Sequence, residues 1–198
     1  MRQARTTLFL LIISIILGGV SPYAHATSAV ELTFPDLVAH AEVIAVGTVS
    51  DIYEQWDATQ KVPLTMVTFS DLTVLKGNPG PSMTLEFVGG TRPDGLVMVI
   101  SGVPHFTVGE KTVVFSTGNQ RDFCPLTGIW QGLLRVTTDP QRGEETVSDS
   151  FRVPIVKLQD GKFVKSSSSA APPQETMTLP TLVQAIQQEL QKQSAAHS

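Results

Sequence analysis

The chain has 198 residues, with 14 Lys+Arg against 18 Asp+Glu, a formal net charge of −4, 16% charged and 41% hydrophobic residues, and one Cys. One Cys excludes a disulfide scaffold and a thiolate zinc site, and the apolar content excludes a fully disordered chain. The acidic balance argues against a nucleic-acid surface, which needs clustered Lys and Arg.

Residues 1–7 hold Arg2 and Arg5 and no acid; residues 8–20 form an apolar run broken only by Ser14, Gly18 and Gly19; Ala24-His25-Ala26 follows as a small-x-small triplet. This is the order of a secretory signal peptide, expected over residues 1–26. The run is shorter than the roughly 20 residues that span a bilayer. The expectation is therefore export to the periplasm or the cell exterior, with no stable membrane insertion after cleavage. Arg2 and Arg5 are not adjacent and no Cys follows the run, so neither a twin-arginine signal nor a lipoprotein is supported.

After the leader, Thr33 is placed to cap a short helix, with Pro35 early in it and Leu37, Val38 and Ala41 on one face. Residues 43–53 are rich in β-branched side chains and read as a long strand, with Gly47 marking a bulge or bend. A polar loop over 57–63 precedes a second long strand, 64–75. Its apolar residues change face between Phe69 and Leu72, which a bulge near Ser70-Asp71 would explain, as would burial of both faces. Lys76-Gly77-Asn78-Pro79-Gly80-Pro81 is a dense turn signal.

Shorter strands are expected over 83–88, 96–100 and 111–116. A further strand begins at Thr127 or Ile129 and ends at Val136, and weaker candidates cover 144–147 and 151–156. Asp160-Gly161 between apolar pairs is a hairpin signal. The Ser/Ala/Pro-rich stretch reads as a linker over 166–178. Leu179, Leu182, Val183, Ile186 and Leu190 then keep helical spacing, giving a C-terminal amphipathic helix over 179–192 and a fraying tail. The helix stripe is expected to dock on the barrel, with a partner or self-association as the alternatives.

The fold class expected is mainly β: a small OB-like Greek-key barrel of antiparallel strands over 27–165, with a short N-terminal helix and the C-terminal helix. Cys124, alone in an oxidising compartment, reads as a small core residue, with a reactive thiol or an intermolecular disulfide as alternatives.

The stretch from Ala41 to Val136 resembles a family of uncharacterised secreted bacterial proteins. The likeness rests on Ala41-Glu42-Val43-Ile44-Ala45-Val46-Gly47-Thr48-Val49, on Val74-Leu75-Lys76-Gly77, and on Gly89-Gly90. It continues in Gly102-Val103-Pro104-His105-Phe106-Thr107-Val108-Gly109-Glu110 and Gln131-Gly132-Leu133-Leu134-Arg135-Val136. The layout is similar, at greater distance, to netrin-like domains of the tissue-inhibitor-of-metalloproteinase kind. That resemblance implies an OB-type barrel. It does not carry the inhibitory chemistry, which uses an N-terminal Cys and several disulfides that this chain lacks.

No set of residues spells out catalysis. There is no G-x-S-x-G elbow, no phosphate loop of the G-x-x-x-x-G-K-[ST] form, and no H-x-x-x-H, H-E-x-x-H or H-x-H spacing that would join His40, His105 and Glu110 as metal ligands. No catalytic residue, metal or cofactor is therefore assigned. The segment 102–110 is the most distinctive. Pro104, His105, Phe106 and Glu110 are candidate ligand contacts, although Gly102, Pro104 and Gly109 also have turn-chemistry explanations. Trp56, beside Asp51, Glu54 and Asp57, is a further candidate. The function expected is a non-enzymatic exported module that binds an unidentified protein or small ligand, one form of which is a partner of another envelope or secreted protein. The alternative is a hydrolase using His105 with a nearby carboxylate such as Glu110 or Asp94.

Overall fold

The structure is a computed structural model that describes residues 30–120, 122–140, 142–167 and 176–196. The expected signal peptide lies outside the described residues. No helix among the described residues is long and apolar enough to cross a membrane.

The first element, α1 (Phe34–His40), starts where the sequence places it. Thr33 Oγ1 accepts from the Asp36 backbone N–H while the Asp36 carboxylate accepts from the Thr33 backbone N–H, a reciprocal capping box. The Thr33 hydroxyl also donates to the Asp36 carboxylate at 2.6 Å, and this bond together with that from the Thr33 N–H holds the Asp36 carboxyl below its ordinary pKa. At the other end Lys76 Nζ donates to the Val38 and Ala39 carbonyls, satisfying the helix C-terminus.

Two 15-residue strands, β1 (Val43–Asp57) and β2 (Val62–Lys76), make the backbone of the fold. Both are longer than the sequence suggests, because Trp56 and Asp57 still pair with Pro63 and Val62, and the polar loop shrinks to the turn between them. The register slips between Val46 and Thr48, opposite Ser70 and Thr73, and Asp71 sits there at φ +51°. That is a bulge at the expected place. It turns Leu72 onto the face that Phe69 already occupies, so both pack in one cluster.

Next come β3 (Met83–Val88), β4 (Gly90–Thr91), β5 (Val97–Met98) and β6 (Lys111–Ser116). The strand expected over 96–100 pairs only at Val97 and Met98. The strand expected from Thr127 or Ile129 begins late: residues Ile129–Gly132 form a 3-10 turn, and β7 covers Leu133–Thr138. Gly132 explains the change. A Cβ there would lie 2.6 Å from the Thr127 carbonyl oxygen and 2.7 Å from that of Phe115, so the chain passes too close for a paired side chain.

The chain continues with β8 (Glu145–Asp149), β9 (Ile155–Gln159), β10 (Lys162–Lys165) and α2 (Leu179–Ala196). Asp160 and Gly161 both take positive φ in the β9–β10 turn, as a two-residue hairpin of the primed type requires. Met177 and Thr178, expected within the linker, are tied to strands: Val147 N–H donates to Met177 O, and Met177 N–H to Ile155 O. The helix also runs on to Ala196, into the tail expected to fray.

Six strands form one antiparallel sheet in the order β3-β2-β1-β6-β7-β8. The fold is mainly β, and the sheet carries apolar residues on both faces. On one face Ile44, Val46, Val113, Phe115, Leu134 and Val147 pack under the two helices, with Leu182 and Ile186 of α2 fully buried. On the other face Val49, Val67, Phe69, Leu85, Phe87, Val114, Cys124 and Leu133 form a second cluster that no helix covers. Residues on either side of position 121 bond along the edge of β3 instead: Asn119 Oδ1 accepts from Glu86 N–H, and Val88 N–H donates to Phe123 O.

Candidate functional site

The helix-free face is roofed by loops and by the small β4–β5 ribbon. After β3 the backbone swings over the sheet at Gly89 and Gly90, whose φ values are +135° and +127°. The Glu54 carboxylate on β1 fixes the swing by accepting the Thr91 N–H at 3.1 Å, and Thr65 Oγ1 donates to the Gly89 carbonyl at 3.0 Å. Between sheet and roof lies a cleft of about 260 Å³. Its floor is Ile52, Val67 and Phe87; its walls are Val97, Met98, Val99 and Ile100 on one side and Val103, Pro104, His105 and Phe106 on the other. The polar side chains on its lining are Glu54, Thr65 and His105.

Segment 102–110 is built as a back wall. Gly102 takes φ +87° with its α-carbon against Trp130, where a Cβ would come within 2.8 Å of the indole ring. Phe106 turns down into the second apolar cluster, with ring centroids 5.7 Å from Phe69 and 5.0 Å from Phe87. The C-terminal end of the segment is bonded to β1: Gly109 N–H donates to Val49 O, and Val49 N–H to Glu110 O.

Beneath this wall lies a buried ion group. The Arg135 guanidinium, on β7, contacts the Glu110 carboxylate at 2.5 Å, with both side chains less than a tenth exposed. Its other nitrogens donate to the His105 carbonyl at 2.7 Å and the Ser150 carbonyl at 2.9 Å. Arg152 adds a second, exposed contact to Glu110 at 3.0 Å. Three directions of one planar cation are thus spent on two chain segments, Glu110 and His105 of the wall and Ser150 just after β8, which is the use to which a rigid guanidinium is suited. Arg135 positions the His105 backbone, and through it the cleft wall.

The five candidate residues therefore separate. Pro104, His105 and Phe106 come together on the cleft. Glu110 lies under the wall and is occupied by arginines. Trp56 sits at the end of the β1–β2 hairpin, beside a shallow recess with Gln55, Asp57, Leu64, Met66, Glu86 and Gln120. The acids near it do not converge on a ligand: Asp51 accepts from Ile52 N–H, Glu54 from Thr91 N–H, and Asp57 from the Thr59 and Gln60 N–H groups.

His105 is exposed on the cleft rim. The carboxylates expected to work with it are held elsewhere, Glu110 by Arg135 and Arg152, and Asp94 by Arg92 at 2.8 Å. Among the described residues no group of three or more His, Cys, Asp and Glu is placed to hold a metal. Cys124 is buried, and burial pushes its thiol up to about 11. The sequence reading missed Arg135 and the β4–β5 roof. Arg135 gave no distinct signal, because in Leu133-Leu134-Arg135-Val136-Thr137-Thr138 it sits where a strand's solvent-facing polar residue would.

No family model, curated protein or solved structure matches this chain.

Proposed function

We propose that this chain is an exported binding module whose cleft takes an apolar group, either a small molecule or a side chain offered by a partner protein. The observation that carries this is the lining. A concave site whose walls are Ile52, Val67, Phe87, Met98, Val99, Ile100, Val103 and Phe106, with Glu54 and His105 as its charged or titratable members, has the composition of a ligand pocket. At about 260 Å³ it fits one short alkyl chain or one large side chain. The buried Arg135 brace supports the reading, because a preformed wall lowers the ordering cost of binding.

Two finer readings go with it. The strand order β3-β2-β1-β6-β7, and an apolar cluster enclosed between β3, β6 and β7, support an OB-like barrel closed by the bonds of Asn119 and Phe123 to β3. The leader supports export, with the module acting at the periplasm or cell exterior.

A titration followed by methyl resonances tests the cleft, with hexanoate and hexylamine as probes. Saturable shifts are expected at Val67, Val99, Ile100 and Val103, and Ile100→Glu is expected to weaken binding at least about tenfold. Shifts that fail to saturate, or that spread evenly over surface methyls, would sink the reading.

A further inference from the structure

We infer that the free edge of β5 pairs with the same edge of a second copy of this chain, around a twofold axis at Met98. The inference goes beyond the cleft reading and does not depend on it.

The backbone carries the first part of the argument. Arg92 N–H donates to Leu96 O across the turn of the ribbon, and Gly90 pairs with Met98. In an antiparallel ladder the bonding direction alternates residue by residue. Leu96 and Met98 therefore face β4, and the N–H and C=O groups of Val97 and Val99 point the other way. No hydrogen bond is made by either of these backbones to the described residues. Val97 is 68% and Val99 72% exposed. This is an open strand edge, and it lacks the Lys, Pro or bulge by which such edges are usually blunted.

The side chains carry the second part. Leu96-Val97-Met98-Val99-Ile100 reads nearly the same in both directions. Antiparallel pairing about Met98 sets Val97 opposite Val99 of the other copy, and Leu96 opposite Ile100. The outward-pointing residues are then the hydrogen-bonded pairs, so all four free backbone groups of each copy are satisfied at once. The exposed valines meet on one face, as β-branched cross-strand pairs do. A foreign strand would meet the backbone but would have no reason to match this symmetric order. The partnership also answers a weakness of the ribbon. Its strands are two residues each, and isolated two-stranded ribbons are marginal in water; β4-β5 joined to its copy gives four strands. The contact is smaller than the roughly 1,200 Å² of a stable interface, so association is expected on the order of 100 µM.

Cysteine scanning tests the register. Met98 meets its own copy as a non-hydrogen-bonded pair with Cα atoms about 4.5 Å apart, within disulfide reach. Met98→Cys is expected to oxidise to a covalent dimer. Val97→Cys and Val99→Cys, each displaced from the axis, are expected to stay monomeric when oxidised separately. The native Cys124 is buried, so the wild type serves as the uncrosslinked control. Sedimentation equilibrium is expected to show a monomer–dimer equilibrium that the Val97→Lys/Val99→Lys double variant loses, with an unchanged circular dichroism spectrum. A wild type that stays monomeric to millimolar concentration overturns the inference. So does equal cross-linking at all three positions, or a monomer whose β5 edge takes up only an unrelated extended peptide.

Discussion

The two faces of the central sheet are built to different ends. The helix-covered face is closed mainly by apolar contacts: Leu182 and Ile186 of α2 and Leu37 and Val38 of α1 seal it against Ile44, Val113 and Phe115. The other face carries an equally apolar floor, yet it is roofed by loops, a two-residue ribbon and a buried Arg–Glu pair. Helices cover a sheet by laying an apolar stripe along its face. Loops leave gaps and must satisfy their own backbones, so polar groups enter the interior there. The gap on the loop side is the cleft.

The sharpest way to break this contrast is to remove one member of the buried ion pair. Glu110→Ala leaves Arg135 charged and enclosed, and it is expected to destabilise the protein by about 3–5 kcal/mol, read from urea denaturation. A paired Glu110→Leu/Arg135→Met variant is expected to recover most of that stability, because a buried ion pair and a packed apolar pair are often nearly equal. The double variant should still lose order in segment 102–110, visible as faster amide exchange, since His105 would have lost the donor to its carbonyl. Recovery of stability with unchanged exchange would show that Arg135 does not position the wall.

A smaller loss tests the helix side against the roof. Leu182→Ala removes a fully buried side chain and is expected to cost about 2–4 kcal/mol. Leu96→Ala, at a residue 60% exposed on the ribbon, is expected to change stability by less than about 0.5 kcal/mol. Equal effects in the same urea assay would mean that the ribbon is packed more tightly than its exposure indicates.

What was legible in the sequence follows the same division. Elements set by local chemistry were readable: the Thr33–Asp36 cap, β3 and β6 bounded by turns, the bulge at Asp71, and the Asp160-Gly161 hairpin. Elements set by contacts far along the chain were not. Gly132 stops a strand because the carbonyl of Phe115 lies against it, and nothing near residue 132 announces that. Arg135 looked like the polar half of an alternating strand, whereas its partners are Glu110, His105 and Ser150, contributed by other segments. Glu110 and Trp56 were grouped with the binding residues because sequence proximity to His105 or to acids was the available guide, and three-dimensional proximity divides them. Half of the site, the 104–106 wall, was readable because its turn residues concentrate there. The other half, the β4–β5 roof, depends on the backbone swing at Gly89 and Gly90.

A pH-dependent effect concerns the thiol on the loop side. Cys124 sits 3% exposed in the second cluster, and burial lifts its pKa from 9.0 to about 11. Between those values the unfolded chain releases the proton and the folded chain keeps it. The folded state binds more protons there, so stability falls as pH rises. From pH 8 to pH 10.5 this group is expected to remove about 2 kcal/mol. Lys76 acts in the opposite sense: burial lowers its pKa below 10.5, so the unfolded state holds the extra proton and this contribution rises with pH. Comparing wild type with Cys124→Ala at each pH separates the two. The alanine variant is expected to be less stable at pH 8, where the packed thiol is lost, and to close much of the gap by pH 10.5. A gap that stays constant across that range would mean that the native thiolate is solvated, and that the loop-roofed cluster admits water as the helix-covered one does not.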